Sequence, residues 1–100
     1  LRLAVLSACR TAVGYYPESE EISHLAGAFL AAGVPAVVAS LWEVEDSAAA
    51  TLMTAFHRRL AAGIQPAEAL RQTQMELAGS PDPRLASPAT WAAFRLLGAD

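Results

Sequence analysis

Cys9 is the single thiol of this 100-residue chain, and it closes the apolar run "LRLAVLSA" at residues 1–8. A thiol is nucleophilic as its thiolate, which forms near neutral pH beside a histidine or a positive dipole. Two readings of Cys9 stay open. Free cysteine is among the most buried residue types, so Cys9 reads as a small hydrophobe ending a core strand. Polar Arg10 and Thr11 follow directly, however, and backbone N–H groups at a strand-to-loop boundary can hold an oxyanion.

A second locus is "SLWEVED" at residues 40–46, which gathers an indole, Trp42, with the carboxylates Glu43, Glu45 and Asp46. Trp42 either closes the end of the core or forms a pocket wall. The acids either favour a following helix N-terminus or face a basic side chain. Both uses fit together if Asp46 caps the helix while Glu43 and Glu45 point to a cleft. The two histidines are poor general bases by position: His24 falls early in a helix at the surface, and His57 reads as a half-buried ring beside Arg58 and Arg59.

Other chemistries fail on spacing. One cysteine and two distant histidines make no metal-ligand pattern, so no metal is expected. Neither GxGxxG nor GxxxxGK[ST] occurs, a GxSxG elbow is absent, and a Cys-x5-Arg loop would need arginine where Tyr15 stands. No cofactor is expected.

The elements that must position these residues alternate in period. Residues 1–8 read as a buried strand, and a loop with Gly14 and Pro17 follows. Ser19 is the expected N-cap of a helix to Ala32 with Ile22, Leu25 and Phe29 on its buried face, and Gly33 is its C′ residue. "PAVVASLW" (35–42) is the second strand. A helix capped by Asp46 carries Leu52, Phe56 and Leu60 and ends at Gly63; Pro66 opens a third, with Leu70, Gln74 and Leu77 in line. "GSPDPRLASP" reads as a proline-rich loop and "WAAFRLLG" as a last strand. The order implies an α/β layered sheet whose first two strands are parallel neighbours joined by a right-handed crossover. Both strand ends then lie on one rim, where ligands of open α/β sheets bind. The direction of the last strand stays open.

Composition narrows the classes. A 54% hydrophobic content is ample for the core of one small domain. Leu1, with no initiating methionine, suggests a piece of a longer polypeptide. The net charge is -3 and the seven basic residues, all arginine, are scattered, which speaks against nucleic-acid binding. No apolar stretch approaches the roughly 18 to 20 residues of a membrane span, so no membrane partner is expected. The lone cysteine suits a reducing compartment, by default the cytoplasm.

"VLSACRTAVG", "HLAGAFLAAGVPAVVASLWEVED", "PAEALRQTQ" and "WAAFRLLG" together resemble the CHAT domain, a caspase-like family often found with TPR repeats and related to caspases and separase. The resemblance implies a caspase-like layered sandwich, α/β with a mostly parallel sheet and helices on both faces, of which residues 1–100 form the C-terminal portion. It implies that Cys9 is the nucleophile of a Cys/His dyad. Its histidine belongs to an upstream strand ending in His-Gly, and neither His24 nor His57 matches that position, so these residues alone are expected to be inactive. The family's "WPVDD" stands here as "WEVED", and by analogy with basic-specific relatives Trp42, Glu43, Glu45 and Asp46 help form a pocket for arginine or lysine. The implied function is a cysteine endopeptidase acting on a protein or peptide substrate, with TPR repeats in the same or a partner chain. A non-catalytic caspase-like scaffold is the alternative.

Overall fold

The computed structural model describes residues 2–6 and 18–98, the side chains of 18–23 excepted. Among these described residues three strands and five helices follow in the order β1 (Leu3–Leu6), α1 (Glu18–Ala31), β2 (Ala36–Ser40), α2 (Asp46–Ala61), α3 (Pro66–Ala78), α4 (Pro83–Ala86), α5 (Pro88–Trp91) and β3 (Phe94–Gly98). They divide into two compact units, residues 1–43 with 94–100, and residues 44–93.

The first unit is a three-stranded sheet in the order β1-β2-β3, with α1 packed against it. β1 and β2 pair in parallel with Leu3 opposite Ala36 and Leu6 opposite Ala39, as the strand-helix-strand pattern requires. β2 and β3 pair antiparallel from Ala36 opposite Gly98 to Ser40 opposite Phe94. The described sheet is therefore mixed, one parallel and one antiparallel pair, and not mostly parallel. The register gives the reason: the chain that leaves β2 at Ser40 comes back opposite Ser40 at Phe94, so β3 must run the other way.

Every residue of β2 is buried, as expected of the central strand of an α/β sheet. Ala4, Ala26, Val34 and Val37 form a core cluster, and Leu6, Phe29, Leu30 and Leu97 pack on it. Among the described side chains the inward line of α1 is thus Ala26, Phe29 and Leu30, and the side chain of Ile22, expected on that face, lies outside them. Leu25, expected inside, is 47% exposed. Small Ala26 lets the helix approach the sheet closely, which turns the larger Leu25 outward. The helix also includes Ser19, since it begins at Glu18, so Ser19 is not its N-cap. Its other end closes as the sequence suggests: Gly33, at φ 95°, donates to Leu30 O and Val34 donates to Phe29 O, both at 3.1 Å. That is the Schellman arrangement, which needs a residue at ease with positive φ.

The second unit is helical. Alanine-rich α2 buries Ala48, Leu52, Ala55 and Phe56, with Arg58 and Arg59 in its last turn where the helix dipole favours cations. α3, opened by Pro66, buries Ala69, Leu70, Thr73 and Leu77. Thr73 therefore takes the inward position expected of Gln74. Its hydroxyl donates to Ala69 O at 2.8 Å and accepts from Arg59 Nη1 at 3.2 Å, so the buried polar atom is satisfied. Arg59 Nη2 continues to Glu76 Oε1 at 2.5 Å, joining α2 to α3.

The stretch expected to be loop holds α4 and α5. Each carries proline in its first turn behind a capping side chain: Asp82 Oδ1 accepts from Arg84 N at 3.0 Å, and Ser87 Oγ accepts from Ala89 N at 3.2 Å. Proline at N1 lacks only an N–H that the helix does not use. Trp91 ends α5 instead of starting the last strand. Its Nε1–H donates to Ala86 O at 3.0 Å, and its carbonyl accepts from Gln74 Nε2 at 2.9 Å.

Candidate functional site

The parallel register fixes one edge of the first unit. β1 ends at Leu6 opposite Ala39 and β2 runs one residue further, to Ser40, so both strands end at the same edge. Cys9 follows Leu6 by three positions in sequence and lies outside the described residues. Trp42 and Glu43, just after β2, are both exposed, Trp42 at 39%.

Glu45 and Asp46 belong to the second unit, and the structure reverses the division of labour expected of them. Glu45, at φ -56° and ψ 135°, is the N-cap of α2, and Asp46 is its first helical residue. The Glu45 carboxylate accepts from Ser47 N at 3.1 Å through Oε1 and from Ala48 N at 3.0 Å through Oε2. The Ser47 hydroxyl lies 2.8 and 2.7 Å from the same two oxygens. Glutamate is not among the preferred caps because it has one methylene too many. Here that methylene lets the side chain fold back over the first turn, so both oxygens serve N–H groups. Asp46, exposed in the first turn, faces the positive end of the dipole.

These donors hold the Glu45 carboxyl below its ordinary value. The Ser47 hydroxyl contributes most, the backbone N–H groups of Ser47 and Ala48 follow, and the charge of Arg84 adds to them. Arg84 comes from α4. Its Nη1 donates to Ser47 Oγ at 2.9 Å and stands 3.6 Å from Glu45 Oε2. Asp82 takes its Nη2 at 3.1 Å. Sequence reading missed Arg84 because one arginine in a proline-rich stretch carries no periodic signal; only the fold brings it to α2. Ser47 was equally silent, because its hydroxyl matters only once Glu45 caps the helix.

His24 is exposed on α1, and His57 is exposed on α2 rather than half-buried, with its ring centroid 5.5 Å from that of Phe56. The α2 helix turns Phe56 fully inward, which carries the next residue out. Two open grooves lie in the second unit. One of about 310 Å³ is lined by residues that include Thr51, Thr54, Arg58 and Glu76, and one of about 270 Å³ by Leu77, Ser80, Pro81 and Leu85 among others. Neither contains Trp42, Glu43, Glu45 or Asp46. Among the described residues no group of three or more His, Cys, Asp or Glu could hold a metal ion, and no helix is long and apolar enough to cross a membrane.

A parallel strand pair joined through a helix, an antiparallel third strand and a helical unit between them define a small α/β domain with a mixed sheet. The chain belongs to the CHAT domain family, whose sequence model matches residues 1–99. It is 31% identical over 100 residues to tetratricopeptide repeat protein 28 of Mus musculus, a match that covers all of this chain and 4% of the relative. It is 36% identical over 76 residues to the Homo sapiens protein of the same name, covering 76% of this chain and 3% of that one. The chain thus spans a small fraction of the curated relatives it matches. No solved structure matches it.

Proposed function

We propose that the chain carries the thiol nucleophile and part of the substrate-recognition edge of a caspase-like cysteine endopeptidase that cleaves protein or peptide partners. Membership of the CHAT domain family supports this reading. The observation that carries it is the parallel β1–β2 register, which puts the C-terminal ends of both strands, Leu6 and Ser40, at one edge. On this reading the sheet of β1–β3 is part of a caspase-like layered sandwich.

Cys9 Sγ, as thiolate, attacks the scissile carbonyl carbon; the C–N bond breaks, and the amine leaves with a proton relayed from the thiol through a histidine. Water then hydrolyses the thioester, releasing the carboxylate and restoring the thiol. Backbone N–H groups hold the oxyanion. The resemblance assigns the base to a histidine in a preceding strand of the family's fold, not to His24 or His57. Trp42, Glu43, Glu45 and Asp46 are the proposed readers of a basic residue before the scissile bond. The names of the relatives contain tetratricopeptide repeat, which supports TPR repeats, in the same or a partner chain, as the setting. A thiolate of this kind works in a reducing compartment, here the cytoplasm.

The test is thiol labelling in the full-length protein. A peptidyl ketone electrophile with arginine at its reactive end is expected to modify Cys9, as read by mass spectrometry, and Cys9→Ala is expected to abolish both labelling and partner cleavage. A Cys9→Ala protein that cleaves as well as the parent overturns the assignment, and a peptide library that prefers aspartate or an apolar residue overturns the basic pocket.

A further inference from the structure

Two grooves run into one another in the helical unit. One, of about 310 Å³, lies along α2 beside Ala50, Thr54, Ala55 and Arg58, and the other, of about 270 Å³, opens at Leu77, Pro81 and Leu85. Thr51 and Glu76 line both, so the two make a single trough within residues 44–93. Short side chains create it: before Arg58, α2 turns only alanine and threonine to this space. The first half holds a guanidinium, and the second presents leucine and proline. That cation is loosely engaged. Glu76 Oε1 accepts from Arg59 Nη2 at 2.5 Å, whereas Arg58 Nη2 stands 3.8 Å from the same oxygen, outside hydrogen-bonding distance, and the Arg58 side chain is 66% exposed.

We infer that the trough docks an extended segment of a partner protein, one that carries an apolar and an acidic side chain four residues apart. The apolar side chain covers Leu77 and Leu85, and the carboxylate meets Arg58, which charge complementarity selects. Glu76, in the middle, sets the register: it repels an acid placed there and accepts a backbone N–H of the segment instead. The spacing follows from the helix. Thr51 and Arg58 stand two turns apart, about 11 Å, and four extended residues span about 13 Å with both anchors on one side of the strand. This surface lies wholly within the helical unit and does not depend on the role of Cys9.

The probe is a fluorescent peptide capped at both ends, acetyl-Glu-Ser-Ala-Ser-Leu-Ser-Ala-Ser-Glu-amide, which offers an acid four residues from leucine in either chain direction. Its anisotropy is followed as full-length protein is added. The parent is expected to bind saturably, and Arg58→Ala roughly two- to fivefold more weakly, the range that an exposed charge contact supplies. Thr54→Trp fills the trough from an exposed position and is expected to lose binding. Arg95→Ala removes an equal charge from exposed β3 and is expected to match the parent. A peptide with glutamine for both glutamates is expected to bind the parent and Arg58→Ala alike. Absence of binding by the parent overturns the inference, as does equal parent affinity for the two peptides. An equal loss in Arg95→Ala overturns it too, because net charge alone then explains the effect. A parent dimer in sedimentation that Thr54→Trp dissolves assigns the trough to a second copy of this chain instead.

Discussion

Gly98 and Pro35 approach so closely that a Cβ on Gly98 would stand 2.5 Å from the Pro35 carbonyl oxygen. It would also stand 2.8 Å from Leu30 Cδ2, and Gly98 has φ 92°. The glycine that ends "WAAFRLLG" is thus fixed by sterics where β3 passes the turn between α1 and β2. Gly98→Ala is expected to cost about 2–4 kcal/mol, combining left-handed strain with the clash. Gly27→Ala, whose Cβ would meet nothing within 4 Å, is expected to leave stability unchanged or raise it by up to about 1 kcal/mol. Urea unfolding of both variants checks the pair; a Gly98→Ala midpoint equal to the parent's refutes the steric account.

Thr73 joins α3 to α2 through a buried hydroxyl that donates to Ala69 O and accepts from Arg59. Thr73→Val keeps the shape and removes both bonds, which is expected to destabilise the chain by about 1–2 kcal/mol. A double-mutant cycle with Arg59→Met is expected to show coupling of about 0.5–1.5 kcal/mol. Additive losses would separate the two residues.

Acid is expected to weaken the second unit in a defined window. Glu68 is held down from 4.5 to about 2, chiefly by its hydrogen bond from Arg71 and then by that from Gln72. Asp82 is lowered by Arg84, and Glu45 by Ser47. A depressed folded value means that the unfolded chain binds more protons. The stability these groups add is complete above about pH 4.5 for Glu68 and is lost as pH falls toward 2. Because the groups are exposed, salt shrinks the effect. Carboxyl NMR titration locates the Glu68 midpoint, and Glu68→Gln is expected to flatten the stability profile between those limits.

The acids of "WEVED" are expected to separate by role. Glu45→Gln keeps an acceptor but gives up the charge opposite the helix N-terminus, so α2 is expected to fray at its first turn, as hydrogen exchange of Ser47 and Ala48 would show. Glu43→Gln leaves the cap intact. In the full-length protein it is expected to lower cleavage after arginine about tenfold, close to the 1.4 kcal/mol that one lost charge contact can represent. Unchanged cleavage by Glu43→Gln would remove it from the pocket.

Repeating patterns were legible in the sequence, and unique contacts were not. β2 announced itself through "AVVAS", and α2 and α3 through Leu52, Phe56, Leu70 and Leu77, because burial follows period. The turn at Gly33 was legible because only a positive-φ residue closes a helix that way. On α1 Phe29 packs inward as expected and Leu25 does not, since alanine and leucine both read as apolar and only packing decides that Ala26 goes in. α4 and α5 were hidden because proline and serine signal loops and helix starts alike. The Glu45 cap is a local contact to Ser47 and Ala48 that glutamate's poor capping preference concealed, whereas Arg84 as its partner depends on tertiary geometry that no local spacing encodes. Cys9 was legible as a lone thiol after a strand, its role as nucleophile came from resemblance, and it lies outside the described residues.

The pairing of Ser40 with Phe94 makes the whole second unit the connection of a β-hairpin. Closing so long a connection costs more entropy than a tight turn, yet each doubling of its length adds only about 0.6 kcal/mol. Helices with local contacts form before such a ladder can close. β3 is therefore a late-arriving strand whose register waits on α2 to α5, and the helical unit is a graftable insert: lengthening its loops should spare the sheet, whereas unravelling its helices should leave β3 without a route home.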